Sequence, residues 1–149
     1  ASRLFRPALG FNLVLDRPPP AEVGLALSAP GHDAMLFLQP RGSRTFAGTW
    51  YAPSNGECSS DPTEEELAAF LAALNAAAPT LAAGRDHVVE VASGLLPAAD
   101  AASTTLSDRD VLHDHGRSGG PAGLHTAIGV KFTTARRLAL RTLRRAKLT

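Results

Sequence analysis

Short apolar runs, each closed by glycine or proline, follow one another through the first third of the chain. Four such runs occupy residues 10–15, 23–27, 35–38 and 44–49. Runs of this length, interrupted at this spacing, are typical of strands joined by tight turns. The pattern therefore predicts an antiparallel meander.

A helical repeat replaces the strand pattern over residues 63–77. Thr63 and Glu66 have the spacing of a capping box, and Asp61 followed by Pro62 offers a second way to begin the helix. The glutamates of the first turn suit the positive end of the helix dipole. The apolar residues that share one face, and that we expect to pack on the sheet, are Leu67, Phe70, Leu71 and Leu74.

Shorter elements follow in the second half of the chain. Residues 88–91 are strand-like, residues 93–107 have a loop composition, and residues 109–113 are compatible with a short strand. A strand at 124–128 then turns through glycine into a helix that begins near Thr133. The buried stripe predicted for this helix comprises Ala135, Leu138, Ala139, Thr142, Leu143 and Ala146. Together the elements predict an α+β fold: a mainly antiparallel sheet with a flanking helix, followed by a C-terminal strand, turn and helix.

The composition is that of an ordinary globular domain, with 149 residues and 44% apolar content. Cys58 is the single cysteine, which excludes an internal disulfide and favours a reducing compartment, so we expect a cytoplasmic protein. Nothing in the sequence resembles a signal peptide, and no apolar run approaches the roughly 18 residues of a membrane span.

Positive charge is concentrated at the end of the chain, although the net charge is only +1. Seven of the 15 basic residues, with no acid among them, are Lys131, Arg136, Arg137, Arg141, Arg144, Arg145 and Lys147. Basic residues near a helix C-terminus are favoured by the dipole and usually form a solvated face. No nucleic-acid-binding motif accompanies them, so we expect no nucleic acid partner.

Asp110, His113, Asp114 and His115 are residue types that bind metals. On a strand, His113 and His115 would share a face while Asp114 faces away, and no second cluster completes a set of ligands. We therefore expect no metal. His125, in the following strand, is expected to be a packed histidine, and no catalytic residue is assigned.

The segment Gly129–Thr134 joins a strand to a helix through glycine. Such a turn presents backbone N–H groups at the helix start, and Lys131 adds a cation beside the threonine hydroxyls. The arrangement suits an anion, or a group that becomes anionic during reaction. An equally good interpretation is that Thr133 is simply an N-cap and Lys131 a solvated turn residue.

The segment Gly129–Arg136 resembles the GGK(L/F)TT-x-R motif near the C-terminal end of the flavin domain in FAD-dependent glycerol-3-phosphate dehydrogenases and their relatives. Further segments resemble blocks of this family in the same order: Phe11–Val14, Phe37–Pro40 with Arg44–Thr49, Pro62–Glu66, Ser93–Pro97 and Ser107–Asp110. The resemblance spans nearly the whole chain. It implies a substrate-binding antiparallel β domain over residues 1–115, with the helix 63–77. Residues 123–149 would then supply a strand and helix of the FAD-binding domain.

The same resemblance places the lysine-threonine turn against the flavin ring. It implies that Gly129, Lys131, Thr133 and Thr134 contact the FAD of the complete protein. A helix N-terminus there would stabilise negative charge on the reduced ring. Val130 stands where the family has a second glycine, and its side chain restricts close backbone approach.

Substrate contacts are assigned by resemblance to Arg109, in the S/T-x-RD block, and to Trp50. A second arginine, which helps the family hold an anionic substrate group, is replaced by Leu96, which offers no charge pairing to phosphate or carboxylate. From the residues alone, Arg109 is equally well explained by an ion pair with Asp108 or Asp110. Trp50 is likewise explained as an aromatic cover of the core.

The sequence contains no G-x-G-x-x-G motif, and therefore no cradle of that kind for the FAD pyrophosphate. We expect a C-terminal fragment of an FAD-dependent dehydrogenase or oxidase, incomplete as an enzyme and unable to bind FAD without a missing FAD-binding half or chain. The implied reaction is hydride transfer from a small alcohol or amine to FAD, and peripheral membrane association of the complete enzyme is compatible with it. The alternative is a non-redox anion- or ligand-binding module that uses the Lys131 turn.

Overall fold

The computed structural model describes residues 4–31, 35–54, 60–100 and 103–147. Cys58 lies outside these residues. The chain divides into two compact units, one formed by Leu9–Leu95 and the other by Ala1–Ala8 together with Leu96–Thr149. The assignment of residues 1–115 and 123–149 to two parent domains stays a prediction.

The elements alternate strands with two longer helices, and the predicted α+β class is confirmed. In chain order, the helices and strands of the described residues are β1 Pro7–Leu15, β2 Leu25–Ser28, β3 Met35–Arg41, β4 Arg44–Pro53, α1 Glu64–Ala77, β5 Val88–Pro97, β6 Val111–Asp114, β7 His125–Ile128 and α2 Ala135–Arg145. Neither α1 nor α2, the long helices of the described part of the chain, is of a length and apolarity that would let it cross a bilayer.

Five strands of the described residues form one sheet, in the order β2-β3-β4-β1-β5. β2 pairs antiparallel with β3, and β3 with β4, so the last three of the four predicted strands form the meander. The first strand departs from it, because β1 lies beside β4 and not beside β2. The Asp16 N–H donates to the His87 carbonyl (2.7 Å) and the Ala98 N–H donates to the Arg6 carbonyl (2.8 Å), so β1 and β5 also run antiparallel.

The strand β5 corrects the loop predicted for residues 93–107. Ser93 and Gly94 weaken a strand when they are considered alone, but β5 lies beside β1 at the edge of the sheet and continues to Pro97. Beyond it, an isolated bridge joins Ala98 to Leu106. Pairing with a neighbouring strand has therefore overridden local composition.

The helix α1 begins and packs as its sequence predicts. Thr63 is the N-cap: its hydroxyl accepts the Glu66 N–H (3.2 Å), and the Glu66 carboxylate accepts the Thr63 N–H (2.7 Å). Thr63 rather than Asp61 is therefore the cap. The predicted face is buried, and its members are Leu67, Phe70, Leu71 and Leu74. The Phe70 ring contacts Phe11 edge-on, with centroids 5.6 Å apart, so the helix covers the middle of the sheet.

The other unit contains a hairpin of β6 and β7, paired from Val111 with Ile128 to Asp114 with His125. The helix α2 follows. Its predicted buried stripe is only partly correct. Leu138 is buried and Thr142 and Ala146 are half-buried, whereas the exposed members are Ala135, Ala139 and Leu143. A hairpin of two four-residue strands offers an apolar surface large enough for about one helical turn, so the rest of the stripe is uncovered.

Candidate functional site

The turn between β7 and α2 is tightly packed at its first residue. A Cβ atom added to Gly129 would lie 3.0 Å from Cδ2 of Leu138, closer than ordinary van der Waals contact. A short 3₁₀ turn over Phe132–Thr134 then leads into α2. An alanine here would force the Leu138 side chain to shift by a few tenths of an ångström, so glycine favours the close approach of the turn to the buried residue of the helix.

The start of α2 is not closed by a side chain. Thr134 is its N-cap residue and makes no side-chain capping bond, because its hydroxyl donates instead to the Lys131 carbonyl (2.9 Å). The interpretation of Thr133 as a simple N-cap is therefore wrong, and Thr133 is exposed. The N–H groups of Thr134 and Ala135 donate to the carbonyls of Lys131 and Phe132, so the helical segment effectively begins with the 3₁₀ turn. Its N-cap, Lys131, makes no side-chain capping bond, which leaves the N–H groups at the start of that turn, those of Phe132 and Thr133, to face a ligand.

An open concavity of about 470 Å³ lies beside the turn. Lys131 supplies its cation, and the apolar residues around it include Val130, Phe132, Ala135 and Ala139. Phe132 is 95% exposed. No ion pair of Lys131 occurs within the described residues. The surface thus combines apolar walls with one cation and a helix start, a combination that suits a flat apolar ring with a polar edge.

A buried carboxylate ties the helix to the hairpin. Only 4% of the Asp110 side chain is exposed. Its Oδ2 atom accepts a hydrogen bond from Nη1 of Arg141 (3.3 Å) and lies 3.6 Å from Nη2 of Arg137. Its Oδ1 atom lies 3.9 Å from the position that a Cβ atom on Gly129 would occupy. The turn, the helix and the residue before β6 therefore meet at one carboxyl group.

Sequence reasoning missed this role, because it considered Asp110 only as a metal ligand or as a partner of Arg109. The partner of Arg109 is instead Asp108, at 3.9 Å, and the Arg109 side chain is 91% exposed. Arg137 and Arg141 are four residues apart on α2, so they share one helix face. That spacing is the signal that could have indicated a common acidic partner.

Trp50 belongs to the unit formed by Leu9–Leu95. Its ring stacks on Phe70, with centroids 5.2 Å apart and an interplanar angle of 27°. Trp50 also packs against the core as a partly buried residue. The structure therefore brings Gly129, Lys131 and the two threonines together in one turn. Arg109 lies elsewhere in the same unit and Trp50 in the other one.

The histidines of the hairpin are held by hydroxyl groups. The rings of His113 and His115 are 4.7 Å apart, edge to face. Nε2 of His113 is 2.9 Å from the Ser118 hydroxyl, and Nε2 of His115 is 2.8 Å from the Thr126 hydroxyl. Across the described residues, no three side chains of His, Cys, Asp or Glu are grouped as a metal site would require. His125 is half-buried, and its Nδ1 atom is buried without a hydrogen-bond partner in the described structure.

No protein-family model matches the chain, and no curated protein sequence matches it. Among solved structures, the chain is similar to the glycerol-3-phosphate dehydrogenase from Bacillus halodurans, which was solved in complex with FAD. The TM-score is 0.71 and the sequence identity is 25%, over 96% of this chain and 27% of the dehydrogenase chain. The chain thus spans about a quarter of the length of that protein. This similarity supports an FAD oxidoreductase-like domain.

Proposed function

We propose that the chain is the substrate-side and C-terminal part of an FAD-dependent dehydrogenase or oxidase, and that the turn Gly129–Thr134 contacts the flavin ring. The observation that carries the proposal is the start of the 3₁₀ turn that leads into α2, which has no side-chain cap and lies beside Lys131 and an apolar concavity. The similarity to a structure that contains FAD supports it. FAD, when bound, would accept a hydride from a carbon atom of a small alcohol or amine.

The residues of the turn fit the ring side of such a cofactor. The open N–H groups and Lys131 can stabilise negative charge at a polar ring edge, and they are oriented before any ligand arrives. Val130, Phe132 and Ala139 can pack on the apolar part of the ring and exclude water from it. Catalytic residues that touch the substrate are not assigned.

The remainder of the cofactor site would come from another segment or chain. The sequence has no G-x-G-x-x-G motif, whereas Phe132, Ala135, Ala139 and Leu143 leave an apolar surface exposed around the turn. An exposed apolar surface of this kind is typical of an interaction site. We therefore propose an FAD-binding half as the partner, in a cytoplasmic enzyme that is compatible with peripheral membrane association.

A small-molecule substrate with an anionic group is the proposed ligand of Arg109. Its guanidinium is almost fully exposed and its ion pair with Asp108 is long. Such a surface pair contributes little, so Arg109 can exchange it for a substrate carboxylate or phosphate at small cost. Trp50 is proposed as a further substrate contact, in addition to its packing on Phe70.

A non-redox anion-binding module is the alternative, and the uncapped helix start favours it as well. Titrations of the chain with FMN and with inorganic phosphate, followed by amide NMR, separate the two functions. A flavin site should respond to FMN at Val130, Phe132 and Ala139, and phosphate should leave these residues unchanged. The same shifts with both ligands, confined to the helix start, would favour the anion module.

Two further measurements test the cofactor assignment. Lys131→Ala should weaken the response to FMN, whereas Lys147→Ala, at the other end of α2, should not. FAD should bind no better than FMN, because the contacts to its pyrophosphate and adenosine belong to the partner half. No response of the turn to FMN would contradict the flavin site, and micromolar binding of FAD would contradict the need for a partner.

A further inference from the structure

We infer that Asp110 is a positioning residue, whose carboxylate sets the orientation of α2 and of the turn that contacts the ligand. The coupling between Asp110 and the turn is a property of the chain itself. Its consequence for the flavin rests on the proposed function.

Because the Asp110 carboxylate is buried, its ion pairs are needed to stabilise its charge. An ionised carboxylate removed from water is costly unless it is paired and hydrogen-bonded. Only 4% of this side chain is exposed, whereas the side chains of Arg137 and Arg141 are 67% and 51% exposed. The guanidinium groups therefore remain hydrated on their outer sides, and the carboxylate depends on them. Loss of the pairing would strand a buried charge.

The positions of the two arginines on α2 let their pairing with Asp110 orient the helix. Arg137 and Arg141 lie one turn apart on α2 and converge on a single oxygen of Asp110, so the pairing defines which face of the helix turns towards β6. The apolar contact of Leu138 with Gly129 brings the helix close to the turn, and the ion pairs of the neighbouring Arg137 and of Arg141 add directional contacts that restrict its rotation. The second oxygen of Asp110 lies on the Gly129 side. One carboxylate therefore sets the rotation of α2 about its own axis and also lies next to the turn.

The charges point to the same conclusion. The sequence contains no acidic residue after Asp114, so α2 has no acid of its own. Among the described residues, the ion pairs of α2 are those of Arg137 and Arg141 with Asp110. Arg137, Arg141 and Arg145 follow one another at intervals of four residues, and like charges at this spacing destabilise a helix. Asp110 offsets that repulsion where the helix begins. The three-residue cluster retains a net charge of +1, which does not oppose an anionic ligand.

The test compares Asp110→Asn with Asp108→Asn in the chain as it stands. Asparagine has the shape of aspartate but no charge, and Asp108 is an exposed neighbour that pairs only with Arg109 among the described residues. Asp110→Asn should make amide hydrogen exchange about tenfold faster at residues 129–138, because a charge-assisted hydrogen bond is lost there. The hairpin β6–β7 should keep its protection. Asp108→Asn should change neither region.

The double variant Arg137→Gln, Arg141→Gln removes the same pairing from the helix side, whereas Asp110→Asn removes the buried charge itself, so the two variants test the pairing in independent ways. The double variant should reproduce the faster exchange at the turn, and in combination with Asp110→Asn the effects should not add. Unchanged exchange at residues 129–138 in the double variant would overturn the inference. So would an equal loss of protection throughout the unit.

The response to FMN distinguishes positioning from charge. Asp110→Asn makes the cluster more positive, so a purely electrostatic role predicts stronger FMN and phosphate binding. Positioning predicts at least an approximately threefold weaker FMN response at Val130 and Phe132. If the wild-type turn does not respond to FMN while the exchange result holds, the proposed flavin function fails and the positioning role stands.

Discussion

Gly129 and Leu138 approach so closely that a Cβ atom on the glycine would lie 3.0 Å from Cδ2 of the leucine. The backbone of Gly129 does not require glycine for its dihedral angles, because φ lies outside the left-handed region. The constraint is therefore one of space. It brings the residue that follows β7 into contact with the buried residue of α2.

Gly129→Ala should therefore destabilise the unit by about 1–3 kcal/mol, because Leu138 has to move from a packed position. The single Trp of the sequence lies in the other unit, so amide exchange in β6 and β7 is the appropriate measurement. Gly94→Ala is the control for the glycine-to-alanine change itself, since its added Cβ would meet no atom within 4 Å. Gly94 lies in the unit formed by Leu9–Leu95, so its effect is measured by urea unfolding with Trp50 fluorescence. That control should leave stability unchanged or raise it by up to about 1 kcal/mol. Equal effects of the two substitutions would show that the close approach is unimportant.

Leu71→Ala should destabilise the unit formed by Leu9–Leu95 by about 2–5 kcal/mol, the usual range for a buried large-to-small change. Leu71 is buried on the sheet-facing side of α1. Urea unfolding followed by the fluorescence of Trp50 reports on this unit, because Trp50 stacks on Phe70 of the same helix. Val23→Ala, at an exposed position of the same unit, should change the midpoint very little. A cost below about 1 kcal/mol for Leu71→Ala would contradict the packing of α1.

The pKa of Glu64 should depend on Arg85. Nε and Nη2 of Arg85 donate to the two carboxylate oxygens of Glu64 at 2.9 and 3.1 Å. This hydrogen bonding lowers the pKa of Glu64, opposed by desolvation and assisted by the Coulombic attraction of Arg85. A carboxyl group whose folded pKa is lowered stabilises the fold above its unfolded pKa, and that contribution is lost as the pH falls through the folded pKa.

Arg85→Gln should therefore raise the pKa of Glu64, as measured by NMR titration of its carboxyl carbon. Arg44→Gln is the control, because Arg44 pairs with Asp16 instead. It should leave the titration of Glu64 unchanged. An identical Glu64 titration in Arg85→Gln and the unmodified chain would refute the pairing.

Arg109→Ala should weaken the binding of an anionic substrate in the complete enzyme by about tenfold to hundredfold, with little change in flavin content. The expected change is a higher KM, since Arg109 would hold a group remote from the reacting carbon. Arg117→Ala removes another exposed arginine, whose partner is Asp114, and should have little effect. A kcat/KM at the unmodified level in Arg109→Ala would leave Arg109 with a structural role alone.

Elements whose signals are local could be predicted from the sequence. The capping box of Thr63 and Glu66 involves residues three positions apart, and the face of α1 repeats within a few turns, so both were confirmed. The extension of β5 to Pro97 could not be predicted, because it depends on pairing with β1, which is distant in sequence. The stripe of α2 was predicted too broadly, because periodicity shows which residues share a face and not how much of that face is covered.

Part of the candidate site could likewise be predicted from the sequence, and part could not. The turn Gly129–Thr134 was found because its residues are contiguous. The role of Asp110 depends on Arg137 and Arg141, about 30 residues further along the chain, and on the burial of one carboxylate. Local spacing carries no information about that burial.

The unit formed by Leu9–Leu95 interrupts the sequence of the other unit, which resumes at Leu96. The chain enters and leaves this inserted segment through β1 and β5, which are adjacent antiparallel strands of one sheet. An insertion whose two ends lie side by side can be exchanged, enlarged or lost while the host segments keep their own pairing. Residues 9–95 can therefore change in length or sequence while the strand, turn and helix around Gly129 stay the same.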